Sequence, residues 1–146
     1  MSALSRRPRL IALDADDLAV ISTHVQDAEI RVADIHWLKA ENRLVIGLKR
    51  LDWDQALSGQ VLSGEVTPRR LVAALRFDRV MSCQSRNIDK AQADETLYLL
   101  GIEFHDGIAP GGSAVLMFSN GSALRLDVEC LECELADLGT NEAASM

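Results

Sequence analysis

The residues of this 146-residue chain whose types and spacing suit chemistry fall in two places. Cys130 and Cys133 form a Cys-x-x-Cys pair within ALRLDVECLECELADLG, residues 123 to 139. Such a pair at a strand-to-helix junction suits thiol–disulfide exchange, or supplies two of the four ligands of a structural zinc ion. Either use needs a supporting environment. A working thiol is made acidic by cations or a helix N-terminus, whereas Glu129, Glu132 and Glu134 crowd this pair and raise a thiol pKa. Zinc would need Cys83, His24, His36 or His105 to complete its shell, and none of these arrives as a second paired motif. Strand alternation turns Cys130 inward as a small hydrophobe, and Cys133 lies off the Leu131/Leu135/Leu138 stripe. The sequence therefore predicts no metal and no cofactor, with Cys130 and Cys133 as the only metal candidates to retain.

The second place is LGIEFHDGIAPGGSA, where His105 and Asp106 stand at the end of an extended run and Glu103 shares a face with His105. A histidine beside carboxylates at a loop mouth can act as a general base. Exposed polar residues at any strand end look the same. The following APGGSA is no phosphate loop, because it lacks the Gly-Lys-Ser/Thr ending. Neither a Gly-x-Ser-x-Gly elbow nor a His-Glu-x-x-His zinc motif is present. A binding surface is the other chemistry on offer. Trp37, Arg50, Trp53 and Arg76 combine the two residue types favoured as interface anchors, although arginine and acid over a core also serve as cross-strand ion pairs.

These groups must be carried by elements that the hydrophobic period makes legible. In LDADDLAVISTHVQDA, Asp14 is an N-cap, Asp17 sits in the first turn, and Leu13 and Leu18 occupy the positions of a hydrophobic staple. Leu18, Ile21, Val25 and Ala28 then give an amphipathic helix one apolar face. The period changes to two in EIRVADIHWL, with Ile30 and Val32 on one face, Ile35 and Trp37 on the other, and a kink near Ala33 and Asp34. With LVIGLKRLDW it makes a hairpin across the turn KAENR. Residues 55 to 68 are rich in Gly and Ser and read as a loop. Leu71, Ala73, Leu75 and Phe77 share a face of the next strand, and QSRNIDKAQADE (84 to 95) reads as a polar, mobile connection. In TLYLLGIEFHD the alternation puts Tyr98, Leu100, Ile102 and Phe104 together. Asn120-Gly121 suits the two positive-φ positions of a type I′ turn, and Leu131, Leu135 and Leu138 switch to helical spacing that Gly139 ends.

The expected fold is therefore α+β: an antiparallel sheet or partly closed barrel of about three hairpins, an N-terminal amphipathic helix and a short C-terminal helix. One domain spans residues 10 to 139, between flexible tails at 1–9 and 140–146. The formal net charge of -7 repels a phosphate backbone, so nucleic acid is not an expected partner. No apolar run approaches the ~18 residues of a membrane span, and the N-terminus does not resemble a signal peptide. An odd number of cysteines argues against a disulfide framework, so the cytoplasm is the expected compartment.

The order DLAVISTHVQDA, IRVADIHWL, RLDW, RRLVAALRFDRV and LRLDVECLECELADLG resembles an uncharacterised family of small bacterial proteins, known chiefly from alphaproteobacteria, over about residues 10 to 139. The resemblance implies no catalytic or cofactor residues. Two functions follow from the residues. The first is a non-catalytic cytoplasmic binding or assembly module, with a homodimer or another protein as partner. The alternative is a small enzyme or metal-binding protein using His105, Asp106 and Glu103 or the Cys130/Cys133 pair.

Overall fold

The computed structural model describes residues 9–52 and 70–140. The expected loop at 55–68, Trp53 and nearly all of both expected tails lie outside them. Within them the chain is built almost wholly of antiparallel strands around one helix. β1 (Arg9–Ala12) leads into α1 (Ala15–His24), followed by β2 (Glu29–Arg31), β3 (Ile35–Leu38) and β4 (Arg43–Leu51). β5 (Arg70–Arg86), β6 (Thr96–Asp106), β7 (Gly112–Phe118) and β8 (Ala123–Thr140) complete the fold. The strands pair in the order β1-β8-β5-β4-β2-β6-β7, and β7 pairs back onto β8, so the sheet closes into an uneven ring. β3 pairs with β4 beside this path. Among the described residues no helix is long and apolar enough to cross a membrane.

Three sequence expectations hold in detail. Asp14 caps α1, its Oδ1 accepting from the Asp17 N–H at 2.8 Å, and Leu18, Ile21, Val25 and Ala28 are all buried. Leu13, however, is 64 % exposed and forms no staple. Asn120 and Gly121 both take positive φ, 63° and 73°, and join β7 to β8 as a hairpin turn. Hairpins form at β3/β4, β6/β7 and β7/β8, whereas β5 pairs with β4 and β8 and not with β6. The kink at Ala33 and Asp34 is a 3₁₀ turn over Val32–Asp34. That turn resets the alternation, so Ile35 and Trp37 pack on the same core as Ile30 and Val32, not on an opposite face.

The expected C-terminal helix does not exist, and the fold is closer to all-β than to α+β. Residues 123 to 140 form one long strand. A spacing of four, as from Leu131 to Leu135, satisfies a period of two as well as one of 3.6. The strand reading wins because β5 supplies a partner along the whole length, from Leu71↔Thr140 to Arg86↔Ala123. Leu131, Cys133 and Leu135 point inward, whereas Leu138 is 49 % exposed. Gly139, at φ 147°, takes up a register shift opposite Val72 and Ala73 and caps no helix. Arg9, assigned to a tail, is the first residue of β1, and residues 84–86, assigned to a mobile connection, are the end of β5.

Bulges correct the remaining assignments. The register of β6 on β7 slips between Leu99 and Gly101. An extra residue reverses which side chains face the core. Leu97, Leu99 and Ile102 are therefore buried, while Tyr98 and Leu100 are 43 % and 54 % exposed. Ser22 of α1 completes the bulge, its Oγ accepting from the Ile102 N–H at 2.9 Å. The helix is thus fixed to the sheet by a polar contact as well as by its apolar face.

Candidate functional site

The carboxylate–histidine group proves to be an exposed strand end. His105 Nε2 lies 3.3 Å from Glu103 Oε1, with both side chains more than half exposed. Asp106 is also exposed. Across the sheet, register places His105 opposite Ser113, Ser113 opposite Asp127, and Asp127 opposite Ser82. The order is wrong for nucleophile activation, which needs the imidazole between serine and carboxylate. Instead Ser113 Oγ donates directly to Asp127 Oδ1 at 2.7 Å, and Ser82 Oγ donates to Oδ2 at 2.8 Å. Those two bonds, with Arg125 alongside, hold the Asp127 carboxyl below the usual aspartate range. An acceptor so well satisfied is a poor base. Ser113, Asp127 and Ser82 thus form a hydrogen-bonded polar ladder across three strands, β7, β8 and β5.

The cysteines part company. Cys133 is buried at 3 % exposure and faces inward, whereas Cys130 is only half-buried, the reverse of the sequence expectation. The physical reason is the bulge where Val80 pairs with Val128 and Asp78 with Glu132, which shifts the phase of β8 ahead of Cys130. Burial pushes the Cys133 thiol up strongly, and Asp78 and Glu134 add to it. A buried thiol shifted up in this way is a poor nucleophile. Among the described residues, no group of three or more His, Cys, Asp or Glu stands together as metal ligands.

Two of the predicted binding residues serve different ends. Arg50 faces inward near the end of β4 and holds Asp137 of β8 in a bidentate pair, at 2.8 Å through Nε and 2.7 Å through Nη2. Both side chains are buried, and Arg50 Nη1 also donates to the Leu51 carbonyl. Small Ala73 on the intervening β5 leaves the arginine room to cross. Arg76 faces outward in a chain of ion pairs. It reaches Glu134 at 2.7 Å and Asp78 at 3.0 Å, while Arg9 sits on Glu134 and Arg43 on Asp78. Glu134 Oε2 lies 2.7 Å from Arg9 Nε but off the hydrogen-bond direction, so that contact is Coulombic. These arginines join strands to one another.

Trp37 stands apart. Half-buried on β3, it lines with Ile35 a pocket of about 70 Å³ whose opposite wall is Cys83 and Ser85 of β5. Ile88 and Lys90, from the β5–β6 connection, and buried Val32 and Leu124 complete the lining. Burial raises the Cys83 thiol pKa, with Lys90 pulling weakly the other way. The pocket opens where β5 leaves the sheet it shares with β4. Their pairing ends at Leu44↔Phe77, and the Val80 N–H makes a last bond to the Asn42 carbonyl at 2.9 Å. Beyond it, Met81 to Arg86 pair only with β8 among the described residues. Sequence reasoning found Trp37 but missed Cys83, Ile88 and Lys90. Strand alternation signals the inward turn of Cys83 only once the bulges between Asp78 and Ser82 are known.

Fold and site together define an antiparallel β protein with one docked helix, a closed ring and a small apolar pocket beside a strand edge. The chain matches, over residues 9–146, the family described as "Protein of unknown function (DUF2948)", and it belongs to that family. Neither a curated protein nor a solved structure matches it.

Proposed function

We propose that this protein is a non-catalytic cytoplasmic binding module for another protein, with the Trp37 pocket as its site. One observation carries the reading: Trp37 lines an apolar pocket that opens beside a strand edge lacking a partner among the described residues. Concave apolar pockets with a few polar groups are the usual seat of recognition, and tryptophan is a favoured anchor. The groups capable of chemistry support it indirectly, since His105 and Glu103 are exposed on a strand and Cys133 is sealed in the core. The free cysteines and the net charge of -7 agree with a reducing compartment and a partner other than nucleic acid.

The test is photo-crosslinking in the cells that make the protein, with p-benzoylphenylalanine in place of exposed Ser85 on the pocket lining or of Glu103 on β6. A discrete adduct from position 85 and none from position 103 is expected. Adducts of equal yield from both positions, or none from 85, would reject the site.

A further inference from the structure

We infer that the partner binds as an added β-strand along the Met81–Arg86 edge of β5, and that it carries an aliphatic side chain next to a carboxylate. The inference rests on the binding-module reading and specifies what that site recognises. Three features of the same place support it. The first is the backbone. Strand addition uses an edge whose N–H and C=O groups lack a partner, and from Met81 to Arg86 one side of β5 is such an edge among the described residues. The second is shape. An added strand lies about 4.8 Å from its neighbour and turns alternate side chains to one face, here the face that carries Cys83 and Ser85. One of those side chains comes to rest between β5 and the Trp37 ring. A pocket of about 70 Å³ is roughly half the ~150 Å³ cavity that holds benzene, which suits a single Val, Leu or Ile side chain and nothing larger.

The third is charge. Lys90 is the one charged residue on the pocket lining, and Arg86 ends the edge. Neither makes an ion pair with a described residue, whereas Arg31, Arg43, Arg50, Arg76, Arg79 and Arg125 are each held by carboxylates. The nearby acids are engaged: Asp94 pairs with Arg31, and Asp89 accepts from the Ala91 N–H. Lys90, a cation without an ion-pair partner among the described residues, stands beside the apolar slot and selects a carboxylate next to an aliphatic group.

The experiment selects random peptides displayed on phage against the whole protein, then scans the enriched peptide by N-methylation at each position in turn. Enriched peptides should place Asp or Glu next to Val, Leu or Ile. Methylation at alternate positions should weaken binding about tenfold or more, and at the positions between by no more than about twofold. Lys90→Glu, on the pocket lining and safe for folding, should also cost about tenfold, as should Trp37→Ala. Peptides that need Trp37 but tolerate N-methylation everywhere would overturn strand addition and leave the binding module standing. Peptides indifferent to both Trp37 and Lys90 would overturn both readings. If no peptide is enriched while position 85 still crosslinks a partner in cells, only the strand-addition reading falls.

Discussion

Removing the Asp137 carboxylate is the perturbation whose consequence the structure fixes most tightly. Asp137 and Arg50 meet through two charge-assisted hydrogen bonds with side chains 7 % and 8 % exposed, so water cannot replace either partner without opening the ring. Asp137→Ala leaves a guanidinium desolvated and short of both bonds. Breaking one side of a buried pair costs about 3–5 kcal/mol, a large share of the roughly 5–15 kcal/mol that holds a domain together. With a urea m-value of about 2 kcal/mol/M, the unfolding midpoint should fall by about 2 M. The double replacement Arg50→Met with Asp137→Leu removes the charge as well as its partner. It should recover part of the loss, so the two changes will not add. Recovery is partial because the Leu51 carbonyl also loses a donor. Equilibrium unfolding followed by circular dichroism measures all three. A midpoint for Asp137→Ala within about 0.5 M of the parent would refute the reasoning, because it would mean that water already reaches the pair.

The other predictions concern the cysteines, the helix and the carboxylate ladder. Iodoacetamide on the native protein at mildly alkaline pH should label Cys130 well before Cys133, whose thiol is buried and shifted up; peptide mass mapping with equal labelling would contradict the burial. Ser22→Ala should destabilise by about 1–2 kcal/mol, because the Ile102 N–H at the β6 bulge loses its acceptor; an unchanged unfolding midpoint would show that water replaces it. The Asp127 carboxyl is shifted down in the folded state, so its contribution is complete above the ordinary aspartate value. It is lost as pH falls through the lower folded value, in a window below about pH 4. Ser82→Ala with Ser113→Ala should move the Asp127 titration midpoint upward in a carboxyl-detected NMR experiment, and no movement would remove the serines as the cause.

What the sequence reveals here is local. The Asp14 cap, the apolar face of α1 and the Asn120-Gly121 turn depend on neighbours within a few residues, and all three appear where the residues place them. What it conceals is set by partners far along the chain. Whether Leu131 and Leu135 ride a helix or a strand depends on β5 lying alongside, with Leu75 opposite Leu135 and Asp78 opposite Glu132. The exposure of Tyr98 and Leu100 follows from a bulge set by the β7 register and by Ser22, neither of them near in sequence. The exchange of roles between Cys130 and Cys133 has the same origin in the bulge opposite Asp78 and Val80. The pocket joins residues from β3, β5 and the β5–β6 connection, so Trp37 is visible as an anchor while its surroundings are not. Arg50 and Arg76 illustrate the ambiguity of arginine in a strand: equally suited to a partner's carboxylate, both here hold carboxylates of their own chain.

The central claim is that Trp37 marks a protein-binding site and not merely a piece of core. Native mass spectrometry of untagged protein purified from its own cells, beside Trp37→Ala prepared in the same way, tests it most directly. The account predicts a complex with a second protein species that the substitution abolishes while the circular dichroism of the free chain is retained. A bare monomer, a complex equally abundant in both, or added mass fitting zinc or a small molecule would contradict it.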